Sequence, residues 1–315
     1  MAEARSVQTM LEILRNGGRL ERSALAGADL RQADLSGVRL TGLDLSGAQL
    51  LGANLQGCAL SNCALDHVCL DAAVLTQAII TQCTARHASL RGTKLDHIWM
   101  QDCDWDECDF HVTDMTRLAA LGSTFHRCTM HTAIIKEAWM SKCIFQDIKW
   151  DGASWDKVFL PDSKMEMCSM AGAVLTQCGF NRVTASGLNL SNAQADGISL
   201  YRATLDEACF DAASLDGAIL DFARLDHVTL KGASLCRARL HAATSLGVDF
   251  SDSNLCDADL SHFQAVNADF TRASLQGALL HAAQLPSVSW RDARLENVRR
   301  DDPILREAEL WQPTV

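Results

Sequence analysis

The stretch "ALAGADLRQADLSGVRL", residues 24–40, places leucine at 25, 30, 35 and 40 and a small residue two positions before each of the last three: Ala28, Ala33 and Val38. The pattern extends far in the C-terminal direction. Of the 55 residue numbers divisible by five from 25 to 295, 49 are Leu, Phe, Ile, Met or Trp; the exceptions are Ala85, Ala120, Ala185, Ala195, Ser245 and Ala265. Of the 55 positions two before them, 48 are Ala, Cys, Ser, Thr or Val. Two exceptions compensate each other locally: Leu118 precedes Ala120 and Phe263 precedes Ala265, so the large residue moves to the neighbouring inward site. A period of five matches neither the 3.6 of a helix nor the 2.0 of a strand. The chain keeps such a period by turning a corner every fifth position, each corner sending the same two side chains inward. Four corners close a square coil after four pentapeptides, and stacked coils make a solenoid. The period fixes the corner spacing but not the number of corners per turn.

The 315 residues are 48% hydrophobic, ample for a core, and carry a formal charge of −11. That charge argues against a protein that binds nucleic acid by neutralising phosphates. No apolar run approaches the roughly 18 residues that a membrane-spanning helix needs, so no span is expected. The start, MAEARSVQTMLEILRNGGRL, lacks a basic segment followed by an apolar one, so no secretory signal is expected. Thirteen cysteines without a signal point to free thiols in a reducing cytosol.

The motifs "ADLSG" (33–37), "ANLQG" (53–57), "ASLDG" (213–217) and "ADLSH" (258–262) resemble the A(D/N)LXX repeat of the pentapeptide-repeat family, over about residues 21–300. The resemblance implies an all-β solenoid: a right-handed quadrilateral β-helix of about 14 coils, ~67 Å long at ~4.8 Å per coil. Such an array buries its apolar lining only by stacking. Because the phase never slips between 25 and 295, no protruding loops are expected.

Terminal coils expose apolar atoms and need covers. Val7, Met10, Leu11 and Leu14 follow helical spacing, and Asn16-Gly17-Gly18 stops the helix, giving an N-terminal cap within residues 1–20. Beyond the 21–300 array, residues 301–315 form a second cap or short tail. Asp302-Pro303 reads as an N-cap and first helical turn, with Ile304, Ala308 and Trp311 placed to cover the last coil. A small C-terminal dimer contact is the alternative use of this end.

With four pentapeptides per coil, positions four repeats apart stack, which turns the sequence into a surface map. Ile79, Trp99, Ala119, Trp139 and Phe159 form one outward column, with Val74 and Ile134 on the adjoining face and Leu121 and Pro161 flanking. Aromatics at normally polar sites mark a candidate partner-binding stripe: Ile79, Trp99, Trp139, Phe159, Val74 and Ile134. Inside the same coils Met100, Trp105, Phe110, Met115, Phe125, Trp150 and Trp155 replace the leucines, which reads as wider packing rather than a ligand pocket.

Nine cysteines occupy the small inward site, where cysteine serves as a small apolar filler; Cys236 and Cys256 should point outward and be the thiols open to oxidation. His67, His87 and Glu107 share an outward column, as do His111 and His131, but flat columns do not converge on one ion. The cluster Asp104, Asp106 and Glu107 reads as a solvated corner. With no GxSxG, P-loop or HExxH, neither catalysis nor a cofactor or metal is expected.

Two function classes remain. The first is a non-enzymatic scaffold or adaptor that engages a protein partner through the aromatic stripe. It would be a cytoplasmic bacterial protein, a secretion-linked one being a variant of this reading. The second follows from the quinolone-resistance branch of the family, whose members resemble duplex DNA and bind DNA gyrase. Duplex of ~67 Å carries about 40 charges, whereas the face built on Leu25, Leu45 and Leu65 carries only about −6.

Overall fold

A computed structural model describes residues 7–310. The chain is a β-solenoid whose strands, two or three residues long, pair in parallel across a constant offset of 20 in sequence. Contacts divide it into two units, Met1–Lys164 and Met165–Val315.

In unit 1 the pairing columns start at Asp29↔Gln49, Asp34↔Asn54, Arg39↔Ala59 and Asp44↔Ala64. Four columns per turn make the square cross-section that the period alone left open. The same register governs unit 2, as in Thr184↔Thr204 and Thr244↔Gln264. Successive turns are joined by main-chain hydrogen bonds: Leu215 N donates to Ser234 O at 2.7 Å, and Ser214 N to Ala193 O at 2.8 Å. Leu215 and Leu235 are fully buried, as are the compensating Leu118 and Phe263.

From Gly27 to Asn297 the residue two after the central one is in the left-handed region at every corner but that of Thr132, for example Gly27 at φ 64°. Where Phe110 O accepts from Thr113 N at 3.2 Å, the third residue of the turn is Val112 at φ 57°. A left-handed third residue is the requirement of a type II turn. A β-branched residue is poorly suited to that conformation, which costs L-residues about 1–2 kcal/mol. The gain on relief is reduced by the larger unfolded-state entropy of glycine. Val112→Gly is therefore expected to raise stability by up to about 1 kcal/mol, read as a higher urea midpoint. A lower midpoint would show that the exposed Val112 side chain contributes more than its backbone strain costs.

Between Trp105 and Trp150 the lining of unit 1 carries packed rings: Trp105 on Phe110 at 5.5 Å, Phe125 stacked on Phe145 at 5.3 Å, and Phe145 against Trp150 at 5.3 Å. The inward cysteines do more than fill space. Cys63 Sγ donates to Leu40 O at 3.3 Å, Cys103 Sγ to Ile80 O at 3.4 Å and Cys128 Sγ to Trp105 O at 3.3 Å. Thr93 and Thr113 make the same bond through Oγ1, to Leu70 O and Leu90 O. The inward small site thus takes a short side chain, most often Ala, and where Cys or Thr stands there it can also donate to a carbonyl of the preceding turn.

The N-terminal cap forms as expected. Helix α1 (Val7–Arg15) buries Leu11 and Leu14, and Arg15 donates to Asp34 O at 2.6 Å. The C-terminal helix α2 (Pro303–Leu310) forms too, with Asp302 Oδ1 accepting from Ile304 N at 3.0 Å and Leu305 N at 3.2 Å. Its expected apolar contact does not form: Ile304 is 79% exposed and Ala308 is exposed, while Trp311 lies outside the described residues. Leu285, Val288, Trp290, Leu295 and Val298 of the last turn are only half-buried. The helix is held by polar contacts at its far end, to His262 and His281, described below.

Candidate interaction surfaces

The stripe is built by parallel register in unit 1. Ile79 pairs with Trp99, Trp99 with Ala119, Ala119 with Trp139, and Trp139 with Phe159. Each precedes a buried central residue, so its side chain points away from the lining. Trp99 is 39% and Trp139 53% exposed, and Ile79 and Ile134 are also exposed; Phe159 and Val74 are half-buried. Phe159 lies against Trp139 with ring centroids 5.6 Å apart, so it supports the outer indole more than it projects beside it.

Two charged clusters of unit 1 neutralise themselves locally. Arg127 reaches Glu107 Oε1 at 2.7 Å and Asp106 Oδ1 at 2.9 Å, and His126 Nδ1 lies 2.9 Å from the same Asp106 oxygen. Arg117 pairs with Glu137 at 2.9 Å, and its guanidinium holds the Glu137 carboxyl below the usual range. His67 and His87 stack face to face at 5.1 Å and 21°. Near-parallel rings aim their nitrogens along separate planes, and Glu107, 3.1 Å from His87, is already engaged by Arg127.

Unit 2 carries a feature that single outward columns did not reveal. Tyr201, Phe222, His241, His262 and His281 zigzag across two adjacent corner columns, each ring edge-on to the next at centroid separations of 5.3–5.8 Å. Arg202 lies over both Tyr201 and Phe222, at 5.2 and 5.5 Å from their centroids. Asp221, paired with Arg239, and Ser261, donating to Asp259 Oδ1 at 2.6 Å, alternate with the rings of the Tyr201–His281 column and are buried, as is His281 itself. The available signal was the regular spacing of Tyr201, His241 and His281, interleaved with that of Phe222 and His262. At the end of the wall His262 Nε2 lies 2.7 Å from Glu309 Oε1 of α2, and His281 Nε2 lies 3.3 Å from it.

Of the two outward thiols, Cys236 is quieter than expected. Cys236 is half-buried and accepts from Asn254 Nδ2 at 2.9 Å; desolvation, with the nearby Asp216 charge, pushes its pKa up and disfavours the reactive thiolate. Burial pushes Cys58 up to about 12 and Cys143 up to about 11, so these inward thiols stay protonated. Among the described residues no helix is long and apolar enough to cross a membrane.

No curated protein matches the chain. One similar solved structure is HetL, a pentapeptide repeat protein involved in heterocyst differentiation regulation from the cyanobacterium Nostoc sp. strain PCC 7120. It is 20% identical over 94% of this chain and 97% of that one, with a TM-score of 0.21. Full-length QnrB1, a plasmid-mediated fluoroquinolone resistance protein, is 16% identical over 72% and 100%, with a TM-score of 0.24. A pentapeptide repeat protein from the Arabidopsis thaliana thylakoid lumen is 22% identical over 36% and 72%, with a TM-score of 0.18. The model of pentapeptide repeats matches eight copies, over residues 23–62, 58–96, 69–104, 186–221, 218–261 and 248–285, more than half of the sequence. With the phase of five and the fourfold register, that match makes the chain a member of the pentapeptide-repeat family.

Proposed function

We propose that the protein is a non-enzymatic interaction scaffold that binds a protein partner through the Ile79–Trp99–Trp139 stripe, with Val74, Ile134 and Phe159 at its border. The observation that supports this most is the exposure of two tryptophans in one strand register, 39% and 53%. Tryptophan is the residue type that most often dominates binding energy at protein interfaces. Each large aromatic offers ~150–250 Å² for burial. The local pairing of acidic side chains with Arg117 and Arg127 favours this reading over mimicry of duplex DNA, which calls for unpaired negative charge.

The test compares wild type with the Trp99→Ser/Trp139→Ser double variant in affinity capture, with the captured partner's affinity then measured directly. Loss of at least about 30-fold is expected, the equivalent of one hot spot of about 2 kcal/mol. The circular dichroism of the variant should match wild type. Unchanged affinity and unchanged self-association in the folded variant would remove the proposal. Inhibition or protection of DNA gyrase at micromolar protein would select the DNA-mimic alternative in its place.

A further inference from the structure

We propose that His262, His281 and Glu309 of unit 2 form a three-ligand site for zinc(II) that fastens helix α2 to the last turns of the solenoid. One ligand atom from each, with the imidazole Nε2 atoms meeting the Glu309 carboxylate, lies within 4.8 Å of the other two. Zinc bonds of about 2.0–2.1 Å in tetrahedral geometry set ligand atoms about 3.3 Å apart. The His281 Nε2–Glu309 Oε1 separation is already 3.3 Å, and the His262–Glu309 separation of 2.7 Å has only to open slightly.

A second, independent observation concerns His281. Its side chain is 5% exposed, yet Nε2 makes no hydrogen bond, although it faces Glu309. A buried polar atom that faces a carboxylate at 3.3 Å without hydrogen-bond geometry calls for an explanation, and an ion between them is one. Two histidines and a glutamate leave the fourth zinc position to water, and the exposed side of the cluster, at His262 and Glu309, provides access.

The surroundings of His281 specify how the proton moves. Nδ1 now accepts from Asp302 N at 3.0 Å, and Asp301 Oδ1 lies 3.4 Å from the same nitrogen. Metal on Nε2 requires the ring proton on Nδ1, so the bond from Asp302 N to Nδ1 must break and Asp301 Oδ1, 3.4 Å away, must accept the Nδ1 proton in its place. This is the carboxylate–histidine–metal arrangement that fixes the ring and strengthens the ligand. Asp301 is thus a positioning residue for the site.

The test uses the full-length, reduced, chelator-treated protein, titrated with zinc(II) in competition with a chromophoric chelator. One equivalent is expected to bind. Affinity should fall by at least about 100-fold in His262→Ala and Glu309→Gln, and by about 10-fold in Asp301→Asn. None of these three residues is buried, so the variants should keep the wild-type circular dichroism. Cobalt(II) in place of zinc should show d–d absorption without thiolate-to-metal charge transfer. Equal affinity in wild type and Glu309→Gln, or a thiolate charge-transfer band, assigns the ion to the cysteines and overturns the site. Absence of binding overturns it as well.

Discussion

Trp150→Ala lowers stability by about 4 kcal/mol, while Trp139→Ser costs about 1 kcal/mol or less. The residues are of one type and close in sequence, but Trp150 falls on a multiple of five and Trp139 does not. Trp150 is fully buried and packed edge-on against Phe145 at 5.3 Å and Trp155 at 5.2 Å. Its removal opens a cavity in a lining whose neighbours are pinned by the ladders of the turns above and below. Trp139 is 53% exposed and loses mainly its contact with Phe159. Trp150→Phe should cost far less than the alanine variant, because the Trp150 indole N–H has no hydrogen-bond partner among the described residues to leave behind. Urea midpoints followed by far-ultraviolet circular dichroism decide the matter. A Trp139→Ser variant as unstable as Trp150→Ala would invert the assignment of inside and outside.

Arg239→Met destabilises unit 2 by about 2 kcal/mol. The Asp221 side chain is 4% exposed, ion-paired with Arg239, and accepts from His241 N at 3.2 Å. Removing the cation leaves a buried carboxylate uncompensated, which costs about 3–5 kcal/mol when both partners are buried. Arg239 is 57% exposed, so water moderates the loss and the expected figure lies below that range. The diagnostic is the double-variant cycle. Asp221→Asn/Arg239→Met should be more stable than the sum of the single changes predicts, because asparagine removes the charge that Arg239→Met strands. Strict additivity of the two changes would show that the pair is not coupled.

The period of five carried most of the architecture. Leu25, Leu215 and Leu235 could be placed inside and Trp99 and Trp139 outside, because one side-chain choice repeats dozens of times in constant phase. Helix α1 was legible from Leu11 and Leu14, and the start of α2 from Asp302-Pro303. Three features were harder to read. The left-handed corners do leave a trace, since 16 of the 19 glycines occupy them, but residues as different as Gly27 and Val112 satisfy the same requirement and blur it. The role of Cys63 and Cys103 as carbonyl donors looks in sequence like that of any small filler. The wall from Tyr201 to His281 alternates between two columns and ends on Glu309, beyond the last repeat. Reading one column at a time divides it, and the docking of a terminal helix has no period to reveal it. The expected contact of Ile304 and Ala308 failed for a related reason: helical spacing defines a face but not what that face meets.

The fourfold register has a consequence for how such a chain can change length. Excising one pentapeptide within unit 1, say residues 106–110, leaves the inward phase intact, because large residues still follow one another at fives. Everything downstream within that unit is then turned by a quarter revolution. Trp139 would leave the line of Trp99 and come to rest on an adjoining side, with every buried side chain still buried. Core and surface answer to different moduli, so a length change harmless to folding can scramble recognition, and only changes of four repeats at once are silent to both.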